Sequence, residues 1–283
     1  MIGQGAAIVL LVVPIAAFSA EREPEELKLQ GKWVADHDTD ACHLIAQFGT
    51  GEDAVYARFT RYDAGDGFDL DVISKRLRSY DAQSDAKLDF GLRERPVRQR
   101  VLRGSVGERA AVYFRRLHLN GEPPEGAEAP PPAELEKRVS RITVSVTGSR
   151  PFRLLFPSLE KPMAAMRTCI TGLISSWGYD PAAQAALSRR ATPVGSPGNW
   201  FGPDDYPAGA RQGGHNGSVQ FRLDIDPAGQ IVGCHILART SPDEFADRTC
   251  ALITRRGKFT PALDAAQRPV RSYYINRVQW QMG

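Results

Sequence analysis

The chain has 283 residues, and its hydrophobic share of 42% and charged share of 24% are typical of a globular protein with one or two domains. Its basic and acidic residues are interspersed and leave a net charge of +3. This composition lacks the strong positive charge of nucleic-acid-binding proteins, so we expect no nucleic-acid partner.

The first 20 residues predict a cleaved signal peptide. The stretch MIGQGAAIVLLVVPIAAFSA is apolar from Ala6 to Phe18, which is shorter than the roughly 20 residues of a membrane span. Ala17 and Ser19 place small residues where a signal peptidase cleaves. We therefore expect the chain to be exported, with an uncleaved anchor at residues 1–20 as the alternative.

The four cysteines predict disulfides, because exported proteins fold in an oxidising compartment. Four cysteines allow three connectivities, and all three stay open on this count alone. Pairing Cys42 with Cys169 and Cys234 with Cys250 keeps each bridge within one half of the chain. We take this connectivity as the hypothesis.

Residues 27–180 predict a β-rich domain that one helix closes. Segments such as AVYARFTRY and FDLDVIS alternate apolar and polar residues, as half-buried strands do. Apolar residues then recur at spacings of three and four from Leu159 to Trp177, which indicates a helix that Ser158 can cap. The Pro- and Glu-rich stretch at 120–138 has no apolar period, so we expect an extended, solvated loop there.

The C-terminal part follows the order strand, strand, helix, strand. A connecting region at residues 181–198 indicates a linker to a second domain at residues 199–283. The segments SVQFRLDID and IVGCHILA alternate around a DPAGQ turn and predict a hairpin. A helix follows, with a capping box from Ser241 to Glu244 and Gly257 in the left-handed closing conformation. The segment PVRSYYINRVQWQ predicts the final strand.

Two groups of motif residues, in this order, resemble the C-terminal domain of TonB-family energy transducers. The first lies before the hairpin, where a Tyr-Pro pair precedes a glycine at the start of a strand. The second is the connector KFTPALDAAQRPV between the helix and the last strand. The motif residues are Tyr206, Pro207, Gly217, Phe259, Pro261, Ala262, Pro269 and Val270. The resemblance covers about residues 199–282, and the preceding domain is not recognised.

The connector also has a physical interpretation. Phe259 is expected to anchor the end of the helix to the sheet. Pro261 prevents the helix from continuing, because proline lacks the N–H that a helix needs. Pro269 can begin the last strand without supplying a ladder donor. The connector therefore positions the last strand.

The resemblance implies partner binding rather than catalysis. A three-stranded sheet with a helix on one face leaves an unpaired edge, which is a template for another strand. In the family, the last strand pairs with a short periplasmic segment of an outer-membrane receptor, and we expect that strand at Val270–Gln281. The expected partner-binding residues are Arg271, Tyr273, Tyr274, Ile275, Asn276 and Arg277. Two alternatives stay open, since strand aromatics can instead fill the core and the edge can pair with a second copy to form a homodimer.

The expected fold class is α+β, with a TonB C-terminal-like strand-strand-helix-strand domain preceded by a β-rich domain with one closing helix. The resemblance implies a periplasmic protein linked to TonB-dependent transport. Its partner would be an outer-membrane TonB-dependent receptor or another envelope protein. Two alternatives remain. One is an envelope structural or partner-binding protein that uses the fold without energy transduction. The other is an anchored energy transducer, which would also contact inner-membrane motor proteins.

Motifs of catalysis and metal binding are missing from the sequence. It contains no G-x-S-x-G, no H-E-x-x-H and no phosphate loop. Cys234, His235 and Cys250 lack redox or zinc spacing, and the acidic cluster around His37 and His43 matches no standard metal site. We therefore predict no enzymatic activity, no cofactor and no metal.

Overall fold

A computed structural model of the chain describes residues 23–77, 83–92, 96–119, 132–240 and 243–282. The predicted signal peptide at residues 1–20, Ser241 of the predicted capping box and most of the Pro-rich stretch lie outside them. No helix of the described residues is both long enough and apolar enough to cross a membrane.

Nine strands in the first part of the chain form a closed barrel. They are β1 (Glu25–His37), β2 (Cys42–Phe48), β3 (Val55–Arg61), β4 (Phe68–Ile73), β5 (Gln83–Asp89), β6 (Val97–Val106), β7 (Arg109–Leu117), β8 (Arg141–Val146) and β9 (Phe152–Leu155). Around the barrel they follow the order β1-β2-β3-β4-β7-β6-β5-β8-β9, and the parallel pairing of β1 with β9 closes it. The predicted β-rich region is therefore a barrel, and closure leaves its strands no open edge within the described residues.

Alternating apolar residues fill the barrel interior. In β2, every second residue from Cys42 to Phe48 is buried, and the residues between them, such as His43, lie on the outer face. In β3, Phe59 is fully buried while Arg58 lies on the outer face. The inward side chains form one large apolar cluster, and burial of each large side chain stabilises the fold by about 1.5–3 kcal/mol.

Helices α1 (Pro132–Arg138) and α2 (Glu160–Ser176) complete this unit. The apolar face of α2, which includes Met166, packs against β1 and β2 on the side of their inward residues and joins the same cluster. A disulfide between Cys42 and Cys169 fixes α2 to β2. The predicted closing helix is therefore present.

Two local expectations are corrected here. Residues 132–138 are helical rather than extended, because Glu136 turns inward and accepts a hydrogen bond from Arg167 of α2 at 2.6 Å. The N-cap of α2 is Leu159 rather than Ser158, so the helix begins one position later than a Ser158 cap requires.

The remaining α-helices and strands belong to the C-terminal part. They are α3 (Pro181–Ala185), β10 (Thr192–Pro193), α4 (Ala208–Gln212), β11 (Gly217–Ile225), β12 (Ile231–Arg239), α5 (Glu244–Arg256), β13 (Phe259–Thr260), β14 (Ala262–Leu263), β15 (Pro269–Val270) and β16 (Ser272–Trp280). β11 lies between β12 and β16 in an antiparallel sheet, which we call the C-terminal sheet. A disulfide between Cys234 and Cys250 joins β12 to α5. The predicted order strand, strand, helix, strand is present.

Two further details differ from the sequence-based expectation. The last long strand begins at Ser272, because Pro269 and Val270 pair instead with Leu263 and Ala262 in a short ladder of their own. Gly257 ends α5 in extended geometry, with φ of −72° and ψ of 137°, rather than in the left-handed conformation.

Residues 181–198, which the sequence indicates as a linker, contact the C-terminal connector. β10 pairs with β13, and Ser188 donates its backbone N–H to Leu263 O at 2.9 Å. Gln184 of α3 donates to Arg271 O at 3.1 Å. These residues therefore pack beside the C-terminal sheet.

Both faces of the C-terminal sheet are covered. Every residue of β11 from Val219 to Ile225 is buried. Phe221 and Leu223 pack with Ile253 of α5 on one face. The intervening polar residues face the barrel and the end of α2, so the sheet lies between α5 and the first unit of the protein.

Candidate partner-binding site

β16 is an edge strand, since its neighbour in the sheet of described residues is β11 alone. Ser218 of β11 turns both backbone groups towards the β12 side. Its carbonyl oxygen accepts the Thr240 N–H at 3.0 Å, and its N–H donates to Thr240 Oγ1 at 2.8 Å. Alternate residues of a strand face opposite neighbours, so the odd-numbered residues of β11 bond to β16. Their partners in β16 are even-numbered, for example Asn276 opposite Phe221. The residues whose backbone faces the open edge are therefore Tyr273, Ile275, Arg277 and Gln279, and of these Arg277 already donates its N–H to Asn276 Oδ1.

The side chains that we expected to select a partner are already packed. The ring of Tyr273 is 6% exposed and lies edge-on to Trp177, with 5.7 Å between ring centroids. On the other face, the ring of Tyr274 meets Phe259 at 5.0 Å. The Arg271 guanidinium lies over the Tyr179 ring. What β16 leaves open is mainly its backbone.

A charged cluster joins Arg277 to the barrel. Its guanidinium pairs with Asp69 of β4, and both side chains are 9% exposed. Asp69 Oδ1 also accepts the backbone N–H of Arg116 at 3.0 Å. Arg116 lies within a register shift between β4 and β7 and has a backbone φ of 53°, which residues other than glycine rarely adopt. Its guanidinium donates to Asn276 Oδ1 at 3.2 Å, and the same oxygen accepts the Arg277 N–H at 2.8 Å.

Tyr179 makes a second contact between the two parts. Its Oη lies 2.8 Å from Asp224 Oδ1 and 3.0 Å from Ser272 O, so one hydroxyl proton serves two acceptors. Burial, together with the Asp224 carboxylate, raises the pKa of Tyr179, which therefore stays a donor at physiological pH. The neighbouring Arg222 guanidinium lies 4.3 Å from the centre of the Trp177 ring.

The motif residues before β11 pack around its first residue. Tyr206 lies edge-on to Phe245 of α5 and to Trp280 of β16, with ring centroids 5.5 and 5.8 Å apart. Pro207 is the residue before α4. A Cβ on Gly217 would lie 2.7 Å from the Phe245 ring, so only glycine fits this approach. These residues hold the start of β11 against α5.

The connector motif residues hold the other end of the sheet. Phe259 is 5% exposed and contacts Trp200, with 5.8 Å between ring centroids. Pro261 follows it, Ala262 is fully buried, and Pro269 and Val270 form β15. Phe259 therefore occupies the position between helix and sheet that its place in the sequence predicts.

A polar cleft of about 580 Å³ lies between the outer wall of the barrel and one end of the C-terminal sheet. Arg58 and Arg115 both donate to Asp71, at 2.6 and 2.5 Å. Burial lowers the pKa of His43 in the same wall, so the imidazole is neutral at neutral pH. The charged residues of the cleft are Arg58, Arg103, Arg115, Arg239, Arg277, Asp38, Asp69 and Asp71. Positive charge therefore exceeds negative charge in the cleft.

No group of three or more His, Cys, Asp or Glu side chains within the described ranges is arranged to hold a metal ion.

Residues 203–282 match the model of the Gram-negative bacterial TonB protein C-terminal family. These residues form a TonB C-terminal domain. No curated protein and no solved structure matches the chain. The TonB domain contains the C-terminal sheet and α5, while the barrel lies outside the match.

TonB C-terminal domains are periplasmic, bind TonB-dependent receptors and are not enzymes. The two disulfides of this chain are typical of an oxidising compartment. The family therefore indicates an envelope role and directs attention to the edge strand β16 of the TonB domain.

Three residues beside that edge were not singled out in the sequence. Asp69, Arg116 and Tyr179 all come from the first 180 residues, and the alternation of FDLDVIS suggests only that Asp69 faces water. One signal was present, because the stretch VRQRVLRGSVGERAAVYFRRLHL concentrates arginine at residues 97–119.

Proposed function

We propose that this chain is a periplasmic TonB-like protein that binds a segment of an outer-membrane TonB-dependent receptor, or of another envelope protein, in TonB-dependent transport. The partner segment adds to the open edge of β16 as a further strand. The observation that carries the proposal is the outward direction of the backbone groups of Tyr273, Ile275, Arg277 and Gln279 in a TonB domain.

Backbone pairing supplies the affinity in this proposal. Each hydrogen bond made on an open edge contributes about 0.5–1.5 kcal/mol net, and the outward residues of β16 offer several donors and acceptors. Because the side chains of Tyr273 and Tyr274 are packed inside the protein, they contribute little to selecting a partner. Selectivity must then come from groups beside the edge.

Amide hydrogen exchange tests the geometry directly. The even-numbered amides of β16 already bond to β11, so their exchange should be slow with or without a partner. A receptor segment that pairs along the edge should slow exchange at the outward amides of Ile275 and Gln279, whereas the Arg277 amide already bonds to Asn276 Oδ1. Protection that does not alternate along β16, or that appears on β12 instead, would contradict the proposal.

Gln279→Pro removes one outward donor without removing a ladder bond to β11. Gln279 is exposed, so its own side chain contributes little to packing. We expect Gln279→Pro to weaken capture of TonB-dependent receptors, and Gln279→Ala, the matched control, to leave it unchanged. Thermal unfolding must show both variants folded. Equal capture by both would argue against edge pairing, whereas loss accompanied by a change in oligomeric state would favour the homodimer.

A further inference from the structure

The hairpin of β6 and β7 is the most basic part of the chain. Residues 97–119 contain a single acidic residue, Glu108, and no lysine. Its arginines are Arg98, Arg100, Arg103, Arg109, Arg115 and Arg116. Six arginines against one glutamate give this hairpin more positive charge than the +3 of the whole chain, so the hairpin is a local exception to the interspersed charges of the sequence.

This hairpin lies beside the open edge of β16. Arg277 of β16 contacts Asp69 of β4, and Asn276 contacts Arg116 of β7. β6 is the next strand of the barrel after β7. Moving outward from β16, the wall of the barrel therefore continues with β7 and then with β6. A strand added about 4.8 Å beyond β16 would lie over this part of the wall.

Several of these arginines lack a compensating carboxylate. Arg98 and Arg100 are exposed, and neither makes an ion pair within the part of the chain that the structure describes, although Asp85 of β5 lies opposite Arg100 in the ladder. Arg116 donates to the neutral amide of Asn276. Arg103 donates to neutral oxygens, including Leu77 O at 2.6 Å and Ser84 Oγ at 2.7 Å.

The positive charge of these arginines determines which side chains of a partner can lie against this part of the barrel. Alternate side chains of an added strand would point to the face that Arg277 occupies, towards the barrel. Lysine or arginine there would meet like charge, whereas aspartate or glutamate would form charge-assisted hydrogen bonds with guanidinium groups.

We propose that the segment accepted by β16 is acidic, an extended peptide with aspartate or glutamate at alternate positions facing Arg98, Arg100 and Arg116. This inference rests on the proposed strand addition and adds the class of partner to it. The TonB domain supplies the backbone edge, and the barrel supplies the selectivity.

Two labelled synthetic peptides provide the probe, one alternating threonine with glutamate and one alternating threonine with glutamine. Their affinity for the full chain is measured by fluorescence anisotropy at about 50 mM and about 300 mM salt, because screening weakens exposed charge pairs. We expect the glutamate peptide to bind about tenfold more tightly at low salt, and the difference to shrink at high salt.

A triple variant tests whether the hairpin causes the difference. Arg98→Gln, Arg100→Gln and Arg116→Asn remove three charges, and asparagine tolerates the positive φ of residue 116. The control, Lys28→Gln with Lys32→Gln and Lys161→Gln, removes three exposed charges from β1 and α2. We expect the preference for glutamate to disappear in the triple variant and to persist in the control.

Three results would overturn the inference. Equal binding of both peptides would contradict an acidic partner while leaving strand addition intact. Equal losses in the triple variant and its control would show a general effect of net charge. If neither peptide binds, or if binding leaves the outward amides of β16 unprotected, strand addition itself fails and the acidic partner with it.

Discussion

The barrel and the TonB domain differ in their strand edges, since the barrel is closed and the sheet of the TonB domain is open. The nine strands of the barrel close on themselves through the pairing of β1 with β9, whereas the C-terminal sheet ends at β12 on one side and at β16 on the other. A closed sheet offers no backbone to a partner, and an open edge does. The TonB domain can therefore accept a strand, while the barrel can contribute only side chains to the same site.

The two parts also differ in how they are stabilised. The barrel has one large apolar cluster, and the C-terminal part has two smaller ones. Tyr273 of the TonB domain belongs to the cluster of the barrel. Small domains bury a smaller share of their surface and depend more on cross-links and on neighbours. The TonB domain is therefore expected to depend on the barrel more than the barrel depends on it.

The largest predicted effect concerns the two disulfides. Cys42 and Cys169 lie 127 residues apart, and Cys234 and Cys250 lie 16 apart. On the chain-entropy model, removing these bridges costs about 5 and about 3 kcal/mol, because the longer loop restricts the unfolded chain more. Urea unfolding of the paired alanine variants measures both. A larger loss for the shorter loop would show that strain or residual structure dominates instead.

The next effect concerns Asp69. Asp69→Ala leaves the Arg277 guanidinium buried without its carboxylate, and we expect a loss of about 3 kcal/mol. Asp243→Ala breaks the exposed pair with Arg239 and should cost less than about 1 kcal/mol.

Thermal unfolding followed by calorimetry separates the two parts. If Asp69 joins them, its loss should split one transition into two, with the TonB domain melting first. A single transition that merely shifts would indicate that other contacts suffice.

Tyr179→Phe should have a smaller effect. It removes the hydroxyl that Asp224 Oδ1 and Ser272 O share, and the expected loss is about 1–2 kcal/mol. Tyr56→Phe is the matched control, because the Tyr56 hydroxyl makes no hydrogen bond within the described ranges. Equal urea midpoints for the two variants would show that Tyr179 does not hold the sheet to the barrel.

A last effect depends on pH. The Arg256 guanidinium, together with the Gly202 N–H, lowers the pKa of Asp205 from 3.8 to about 2. The unfolded chain therefore takes up this proton first, so the stabilisation is complete above about pH 4 and is lost as the pH falls from 3.8 towards 2. The stability gap between the wild type and Asp205→Asn should narrow across this window. A constant gap would contradict the assignment.

Much of the fold follows from local sequence patterns. The alternation in β3 and β4 and around the DPAGQ turn predicts strands, and the spacing of apolar residues predicts α2. Phe259 is buried between α5 and the sheet, as its place between a helix end and a strand predicts. These features depend on residues that are near one another in the sequence, so their periodicity is visible without the structure.

The composition of the site could be predicted only in part. The motif places an edge strand near the C-terminus, but Ser272 rather than Val270 begins it, because Val270 pairs with Ala262. Arg116 and Asp69 are far from Arg277 in the sequence, and only the packing of the barrel brings them to the edge. A polar residue on a strand has the same pattern whether it faces water or a polar partner surface.

Residue identities alone account for the β-rich first region, the connectivity favoured for the four cysteines and the TonB-like order of the last elements. Only the tertiary structure shows that β1 and β9 close the barrel. It also shows that the second face of the C-terminal sheet is buried. Both depend on contacts between surfaces that are far apart in the chain. Complementary shape and charge determine such contacts, and the periodicity of the sequence does not predict them. The arginines of the β6–β7 hairpin are visible in the sequence, and their position beside β16 follows from the fold.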